Sequence, residues 1–382
     1  MAGEDGRVTR AGEPRILVVG GGFSGLASAI ALSHSGCHVD LVERSATWPS
    51  DGAGISIGGA SLRALAALGV ADEVIRRGAG SDGTTVRGVD GAIITRFAAP
   101  RLTDERLPGQ GAILRPVLGE ILVKAAEDAG ATLCRGTVVD GFHDHDDGVD
   151  VRFSDDSRSS YDIVVAADGL RSEMRSLLLP KAGDPKFSGQ GAWRAVVPRL
   201  NDVTETMLWV GATSKVGVNP ISEREMYLFV NENKSINDRV SPGELLPRLR
   251  GLVTGITDPL LREIQTSLGP ESLVLYRPMD ALLAPLPWHR GRVVFVGDAV
   301  HATTPHLASG AGLGIEDALV LAEERRPAAT DWFTAYERRR FDRCRMVVEN
   351  SARLGEYERM PGGEQLFTTL QSVSLQALTV PI

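Results

Sequence analysis

The sequence predicts an α/β fold in which a parallel sheet carries the main site, a β-rich region is inserted and helices end the chain. Three observations predict it. Three short aliphatic runs, near 16–19, 161–167 and 292–296, each lead into a turn rich in glycine or aspartate. Strand-like segments with many β-branched residues lie between the last two runs. After residue 331, apolar residues recur at helical spacing.

The composition is that of an ordinary globular protein. The 382 residues are 43% hydrophobic and 24% charged, with a net charge of −8, which disfavours nucleic-acid or anionic-membrane partners. Cys37, Cys134 and Cys344 are far apart, so we expect neither disulfides nor a thiolate metal site, and a cytoplasmic protein. The first fourteen residues predict a loose tail instead of a signal peptide, and no apolar run reaches transmembrane length.

The first element is a strand, a glycine-rich turn and a helix. Ile16 to Val19 predicts a buried strand, and the Gly-x-Gly-x-x-Gly pattern that follows consists of Gly20, Gly22 and Gly25. The bare backbone lets a pyrophosphate approach the positive end of the next helix. Glu43 ends the second strand about twenty residues on, where a carboxylate accepts hydrogen bonds from a ribose. The unit predicts dinucleotide binding but does not distinguish NAD from FAD as the ligand.

Two further strands end in aspartates. The second run leads into Asp168-Gly169-Leu170-Arg171-Ser172-x-x-Arg175, and the third into Gly297-Asp298-Ala299-Val300-His301. In open parallel sheets, ligands bind outside the carboxyl ends of the strands. We therefore expect both aspartates to share a site with the glycine-rich turn.

Taken together, the three motifs resemble those of the class A flavoprotein monooxygenases, the group of para-hydroxybenzoate hydroxylase, salicylate hydroxylase and 6-hydroxynicotinate 3-monooxygenase. The resemblance covers most of the chain. It implies a Rossmann-type, GR2-like FAD-binding domain with an inserted β-sheet substrate domain and C-terminal helices. It further implies FAD as cofactor, NADH or NADPH as reductant, and dioxygen as co-substrate. The implied reaction is hydroxylation of an aromatic or heteroaromatic small molecule through a flavin C4a-hydroperoxide.

The resemblance also implies residue roles. The implied FAD contacts are Gly20, Gly22, Gly25, Glu43, Arg44, Gly54, Arg115, Asp168, Asp298, Gly310 and Ala311. A helix beginning near Gly310 would offer free N–H groups to the charge on the reduced flavin. Where many members of the family have Gly-Gln-Gly, this chain has Ala308-Ser309-Gly310, which predicts an unusual pocket shape.

The candidate catalytic residue is His306, whose ordinary pKa suits acid–base work on a phenol. The alternative is a histidine that packs beside the flavin. Candidate walls of the substrate pocket are Arg194, Trp209, Asn219, Tyr227 and Pro305. His301 is expected to be structural. The run 143–148 resembles a metal site but is interpreted as a hairpin loop, so no metal is expected. The arginines at 338–340 are interpreted as a solvated face.

The predicted FAD-binding domain is discontinuous and comprises 1–80, 106–184 and 281–330. Residues 81–105 and 185–280 form the predicted substrate domain, and 331–382 the C-terminal helical segment, in a monomer or homodimer. Three other functions stay open: a flavin-dependent halogenase, a flavin-dependent NAD(P)H oxidase or quinone reductase, and a non-catalytic FAD-binding protein. Against the halogenase, the segment GAWRAVVP lacks the second tryptophan of the halogenase motif.

Overall fold

The structure is a computed structural model that describes residues 13–48, 52–210, 215–325 and 331–382. Most of the predicted N-terminal tail, and residues 211–214 of one predicted strand region, lie outside the described residues. Within them, no helix is long and apolar enough to cross a membrane.

The strands of the described residues are short and distributed over four sheets. They are β1 (Arg15–Val19), β2 (His38–Glu43), β3 (Gly54–Ile57), β4 (Ala79–Ser81), β5 (Gly83–Arg87), β6 (Ile93–Ala98), β7 (Gln110–Leu114), β8 (Thr132–Arg135), β9 (Val139–His145), β10 (Gly148–Phe153), β11 (Arg158–Tyr161), β12 (Ile163–Ala166), β13 (Lys186–Pro198), β14 (Thr206–Trp209), β15 (Lys215–Pro220), β16 (Glu225–Asn233), β17 (Val274–Ala281), β18 (His289–Arg290) and β19 (Val293–Phe295).

The helices of the described residues pack against one another and against the sheets. They are α1 (Phe23–His34), α2 (Gly59–Ala67), α3 (Ala71–Arg77), α4 (Arg115–Asp128), α5 (Glu173–Leu178), α6 (Pro242–Val253), α7 (Pro259–Ser267), α8 (Asp298–His301), α9 (Gly310–Glu324), α10 (Trp332–Arg359) and α11 (Glu364–Leu378). Two 3₁₀ turns cover Pro180–Ala182 and Pro305–Leu307.

The central sheet has the strand order β18-β19-β12-β1-β2-β8, and all its pairs except β18–β19 are parallel. The three predicted strands are therefore the neighbours β1, β12 and β19. The run predicted as one strand from 161 to 167 is broken at Asp162, whose carboxylate accepts a hydrogen bond from the Arg15 N–H at 2.7 Å. The residues before the break, β11, belong to a separate three-stranded sheet with β9 and β10.

The second large sheet has the order β17-β13-β16-β15-β14-β5-β6. Its side chains alternate between two faces, as the two-residue period of a strand requires. Trp193, Val230 and Trp209 lie on the face that α6 and α7 cover. Arg194 is adjacent to Trp193 and lies on the opposite face. The sequence analysis predicted these strands as sheet but did not predict α6 and α7.

The described residues form two large hydrophobic cores, which accompany the two large sheets, and one small cluster between the second sheet and β7. One includes Ile16, Val165 and Phe295 of the central sheet with α1, α9 and α10. The other lies between the second sheet and α6 and α7. This separation supports the predicted division into FAD-binding and substrate domains, which stays a prediction.

Two minor expectations need correction. The 143–148 hairpin exists, but His143 and His145 belong to β9 and only the turn at 146–147 is a loop. Arg340 does not lie on a solvated face, because it is 0% exposed and pairs with two acidic residues of α9, Glu316 and Asp317.

We predict that Asp258→Ala lowers the free energy of unfolding by about 2–4 kcal/mol, because it leaves the half-buried Arg87 and the buried Trp209 N–H without their acceptor. Asp258 is 1% exposed and accepts hydrogen bonds from Arg87 Nε and Trp209 Nε1, both at 2.7 Å. Denaturant unfolding checks the value. The control is Asp104→Asn, which breaks the exposed pair with Arg106 and should leave the unfolding midpoint unchanged.

Candidate functional site

The glycine-rich turn between β1 and α1 is tightly packed at two positions and open at the third. Gly20 has a φ of 112°, and a Cβ there would lie 2.4 Å from the Ala167 carbonyl oxygen. A Cβ on Gly25 would lie 1.9 Å from the Gly20 carbonyl oxygen. Gly22 is exposed, and a Cβ there would meet no described atom within 4 Å. Gly20 and Gly25 therefore hold the turn against the sheet, whereas Gly22 faces open space.

That open space lies at the N-terminus of α1. Gly22 is the N-cap residue and offers no side-chain cap, so the first N–H groups have no partner within the helix. They carry the positive end of the helix dipole. Bare backbone in front of a helix N-terminus accommodates a pyrophosphate, so the turn fits the predicted dinucleotide.

Glu43, the last residue of β2, is tied to this turn. One carboxylate oxygen accepts a hydrogen bond from the Gly21 N–H at 2.7 Å, and the other accepts one from the Ser45 N–H at 2.9 Å. Each oxygen keeps a lone pair that a ribose hydroxyl could use. Arg44 is exposed next to it. The predicted ribose contacts of Glu43 and Arg44 are compatible with this geometry and stay predictions.

Asp168 follows β12 and is half-buried. Its Oδ2 accepts a hydrogen bond from the Met174 N–H at 3.2 Å, and its buried Oδ1 has no hydrogen-bond partner among the described residues. Burial raises the pKa of the Asp168 carboxyl above its ordinary value. A buried oxygen without a partner is what a ligand hydroxyl or amide would satisfy.

Arg175 connects the turn after β12 to the turn after β19. It is 2% exposed, and its guanidinium donates to the Leu170 carbonyl at 3.0 Å and to the Ala299 carbonyl at 2.8 Å. These carbonyls lie next to the turns of Asp168 and Asp298. Arg175 belongs to the second predicted motif, but no role was predicted for it from the sequence. The buried guanidinium holds the two aspartate-bearing turns together.

Arg115 lies within electrostatic range of Arg194 and Asp298, which come from distant parts of the chain, and we call the surface that these three residues share the groove. Asp298 is solvent-accessible, yet protein surrounds it closely enough that lost hydration raises the pKa of its carboxyl. Burial lowers the pKa of Arg115, Arg194 lowers it further, and Asp298 opposes both. Burial likewise lowers the pKa of Arg194. Arg115 and Asp298 are exposed and Arg194 is half-buried, so the three charged groups interact on a surface that solvent still reaches.

The arginines of this groove are not neutralised by protein. Within the described part of the chain, neither Arg115 nor Arg194 forms an ion pair. The Arg115 guanidinium lies 4.8 Å from the centroid of the Phe23 ring, and its aliphatic carbons pack 3.0 Å from a Cβ built on Gly52. Since both arginines stay charged at neutral pH, the groove suits an anionic ligand.

The ribbon of β3 and β7 meets the second sheet at Gly54. A Cβ on Gly54 would lie 2.0 Å from the Tyr227 ring. The Tyr227 hydroxyl lies 2.5 Å from Ser56 Oγ, and the Asn219 amide donates to that hydroxyl at 3.1 Å. Asn219 and Tyr227 are 3% and 4% exposed. They connect the sheet to the ribbon, and direct contact with a substrate stays a prediction for both.

Trp209 does not fit a pocket wall. It is 0% exposed, lies on the α6–α7 face of the sheet and donates its indole N–H to Asp258 at 2.7 Å. The side-chain period of β14 places it opposite the groove, so we omit it from the proposed site. Pro305 is half-buried in the 3₁₀ turn before α9 and remains a candidate.

The loop that leads into α9 offers an uncapped helix N-terminus. The Ser309 hydroxyl donates to the Leu307 carbonyl at 2.7 Å and does not cap the helix. The N–H groups of Gly310 and Ala311 therefore lack partners within the helix. Ala308 has a φ of 49°, in the left-handed region that favours glycine. Many members of the family that the chain resembles have glycine at this position.

His306, the candidate catalytic residue, is 5% exposed. Its Nδ1 lies 2.9 Å from Thr304 Oγ1, and its Nε2 lies 3.6 Å from Glu358 Oε2 on α10. Burial lowers the pKa of His306 to about 4, against the opposing effect of Glu358. The imidazole is therefore neutral near pH 7. Its catalytic role stays a prediction.

A buried ionic network holds the turn that presents Asp298. Asp317 on α9 accepts hydrogen bonds from the Gly297 N–H at 2.8 Å, from His301 at 2.6 Å and from Arg340 Nε at 2.8 Å. Burial alone would raise the pKa of Asp317, but His301 and Arg340 hold it at about 2. The expectation that His301 is structural agrees with this contact.

The same network has donors at metal-like spacing. His301, Asp317 and Cys344 place one ligand atom each within 4.8 Å of one another. Arg340, however, donates to Asp317 and lies 3.5 Å from Cys344 Sγ, and its positive charge disfavours a cation there. The sequence analysis missed this network, although Glu316-Asp317 and the 338–340 arginines were its visible signal.

Residues 13–351 match the family described as FAD binding domain. The chain belongs to this family. The YetM protein of Bacillus subtilis is 31% identical over 367 residues, which covers 92% of this chain and 96% of YetM. The 3-amino-4-hydroxybenzoate 2-monooxygenase PtmB3 of Streptomyces platensis is 30% identical over 374 residues, with coverage of 92% and 90%.

Solved structures agree in fold. Klebsiella pneumoniae HpxO, complexed with FAD and uric acid, superposes with a TM-score of 0.84 at 24% identity and covers 96% of both chains. Pseudomonas aeruginosa PqsL, in complex with 2-aminobenzoylacetate, gives a TM-score of 0.81 at 21% identity, covering 94% of this chain and all of PqsL.

Family membership decides between the functions left open by the sequence. This family member is an FAD-dependent monooxygenase, an oxidoreductase that uses FAD as its cofactor and NADH or NADPH as its co-substrate. The predicted cofactor and enzyme class are confirmed. The oxidase and non-catalytic alternatives are disfavoured.

We predict that Gly22→Ala and Gly25→Ala have different effects. Gly22→Ala keeps the fold but weakens FAD binding by about 1.5–3 kcal/mol, because its methyl group would displace the pyrophosphate from charge-assisted hydrogen bonds. Gly25→Ala prevents folding, because its Cβ would overlap the Gly20 carbonyl. Circular dichroism and FAD titration measure both. Equal FAD affinity in Gly22→Ala and the wild type would contradict the pyrophosphate assignment.

We predict that Asp317→Asn destabilises the protein by about 3–5 kcal/mol, because it leaves the buried Arg340 uncompensated. The folded pKa of Asp317, about 2, lies below the unfolded value of about 3.9. The carboxylate's contribution is therefore present above about pH 4 and is lost as the pH falls towards 2. Thermal unfolding at pH 7 and pH 3 tests this, with the exposed Glu349→Gln as control. A constant difference between the two pH values would contradict the assignment.

Proposed function

We propose that the enzyme hydroxylates a small aromatic or heteroaromatic compound that carries an anionic group, with Arg194 as its anchor. The observation that carries the proposal is that the half-buried Arg194 guanidinium, on the face of the second sheet opposite Trp193, forms no ion pair with any described residue. Partial burial removes some of the hydration of a cation, which an anionic ligand would replace. A ligand carboxylate or phenolate would form charge-assisted hydrogen bonds with it.

The relatives support an aromatic substrate. One is a 3-amino-4-hydroxybenzoate 2-monooxygenase, and another, from Pseudomonas aeruginosa, is a 2-heptyl-3-hydroxy-4(1H)-quinolone synthase. Both names refer to ring compounds with oxygen substituents. We extend this substrate class, and not these compounds, to the present chain. Dioxygen is the second substrate. The monomeric or homodimeric state and the cytoplasmic location stay predictions from the sequence.

The proposed FAD contacts follow the geometry of the turns. The open space at Gly22 would take the pyrophosphate, and Glu43 the adenosine ribose. Asp168 Oδ1 and Asp298 offer carboxylate oxygens to hydroxyl groups, and Arg115 neutralises phosphate charge. When bound, FAD supplies electron transfer from the reduced nicotinamide and the activation of dioxygen.

The other contributions come from the protein around the ring. The uncapped N–H groups at Gly310 and Ala311 favour negative charge in front of α9 by about 0.3–1 kcal/mol. Arg194 binds and orients the substrate, and Gly54 lets Tyr227 approach the ribbon closely. Asn219 restrains the Tyr227 hydroxyl. Pro305 restricts the loop that faces the substrate.

We predict that a panel of phenols, salicylates, hydroxypyridines and polycyclic quinols contains at least one compound that gains one oxygen atom, by product mass, with stoichiometric oxidation of NADH or NADPH. Arg194→Gln should weaken binding of carboxylate-bearing members about tenfold or more, while FAD content and turnover of uncharged members are retained. The matched control is Arg224→Gln, an exposed arginine of the β15–β16 turn. Hydrogen peroxide equal to the nicotinamide consumed, with every compound, would refute the proposed hydroxylation.

A further inference from the structure

The first residues of two helices are in contact beside the glycine-rich turn. α1 begins at Phe23 and α4 begins at Arg115, and the two helices pack against each other. The Arg115 guanidinium carbon lies 4.8 Å from the centroid of the Phe23 ring. At this distance a cation is attracted to the face of an aromatic ring. A cation–π contact therefore joins the starts of α1 and α4.

The position is otherwise unfavourable for a cation. Neither helix has a side-chain cap, so the first N–H groups of both have no partner within the helix and carry positive partial charge. Arg194 adds a like charge at longer range, and Asp298 adds an opposite one. Both helix starts and Arg194 therefore repel the Arg115 guanidinium, whereas Asp298 draws it away from the Phe23 ring.

The Phe23 ring is what holds the guanidinium in this place. Within the described part of the chain, the Arg115 side chain forms neither a hydrogen bond nor an ion pair. Its stem is packed, because a Cβ on Gly52 would lie 3.0 Å from Arg115 Cβ and 3.2 Å from Arg115 Cδ. The stem is thus fixed by the loop, and the direction of the guanidinium depends on the ring.

The contact leaves the hydrogen-bond donors of Arg115 free. A guanidinium carries five N–H donors in its plane, and attraction to an aromatic face uses none of them. Gly22, which directly precedes Phe23, faces open space at the start of α1. The ring therefore holds a cation with free donors next to the space that suits a pyrophosphate, and such donors bind two oxygens of one phosphate.

A held guanidinium raises the affinity for a phosphate by a simple argument. If Arg115 spends only part of its time beside α1, the apparent dissociation constant rises in inverse proportion to that fraction. Without an aromatic ring, the repulsion from the helix starts and the attraction to Asp298 lower the fraction. The ring raises it before any ligand is present.

We propose that Phe23 is a positioning residue for FAD, whose ring holds the Arg115 guanidinium at the start of α1 so that the cofactor phosphate meets donors already in place. The inference rests on the proposed function, which assigns Arg115 to the FAD phosphates. The spacing of Gly20, Gly22 and Gly25 leaves the residue at position 23 open, so the glycine pattern alone does not predict this role.

Fluorinated phenylalanines at position 23 test the contact. Each fluorine withdraws electron density from the ring face but changes the shape of the side chain little. The full-length protein, freed of FAD and carrying mono-, di- or trifluorophenylalanine, is titrated with FAD and followed by flavin fluorescence. We expect the dissociation constant to rise stepwise with fluorine number, by about two- to fivefold in all. A purely structural role of the ring would give no such series.

The matched control is the same series at Phe341. This ring is half-buried on α10 and lies 5.8 Å from the guanidinium carbon of Arg345. It therefore offers the same pair of residue types away from the glycine-rich turn. FAD affinity should be the same for every residue placed at position 341.

A double-mutant cycle tests whether Phe23 acts through Arg115. Arg115→Gln should raise the FAD dissociation constant about tenfold or more, since a hydrogen bond to a charged group is lost. Phe23→Leu should raise it about two- to fivefold when Arg115 is present and leave it unchanged when Arg115→Gln is already in place. Circular dichroism checks that each variant is folded.

The outcomes separate the inference from the proposed function. Unchanged FAD affinity in Arg115→Gln removes the proposed phosphate contact, and the role of Phe23 falls with it. A weakened Arg115→Gln together with a flat fluorine series keeps the phosphate contact and overturns the role of Phe23 alone. Equal effects of Phe23→Leu with and without Arg115 do the same. If Phe23→Leu does not fold, the fluorine series decides.

Discussion

The Asp317 carboxylate is the contact on which the arrangement of the site depends. It is 0% exposed and accepts from the backbone of the turn after β19, from His301 on α8 and from Arg340 on α10. One acidic group thereby fixes the sheet, α9 and α10 relative to one another. Asp298 directly follows Gly297 in the chain, and the Gly297 N–H donates to Asp317. The cost of burying this charge is offset by two cationic partners and a backbone donor.

The second constraint is the two-residue period of the inserted sheet. On β13, Trp193 packs into the core beneath α6 and α7 while its neighbour Arg194 lies on the groove face. The same alternation places Trp209 in the core and Asn219 and Tyr227 against the ribbon of β3 and β7. A shift of one residue in strand register would bury Arg194 among apolar side chains. The sheet therefore determines which residues can reach a substrate.

The charged groups of the site fall into those with protein partners and those without. The ionic network around Asp317 is internally compensated and rigid, with each carboxylate oxygen bonded. At the groove, by contrast, Arg115 and Arg194 form no ion pair with any described residue, and Asp168 Oδ1 has no hydrogen-bond donor among these residues. Glu358 on α10 is intermediate, since its Oε1 accepts two hydrogen bonds and its Oε2 has no hydrogen-bond partner among the described residues.

The sequence by itself determined the parts that depend on local order. A strand, a turn with glycines at required spacing and a helix are encoded within about thirty residues, and parallel strands bring Gly22, Asp168 and Asp298 to one sheet edge. Only the tertiary structure decided that Arg340 is buried, that Trp209 faces the core and that Glu358 meets His306. These contacts join residues far apart in the chain, and their energies depend on burial and on partners that no local pattern contains. The helices α6 and α7 escaped prediction for a related reason, since α6 contains an internal proline and both helices are stabilised chiefly by packing on the sheet.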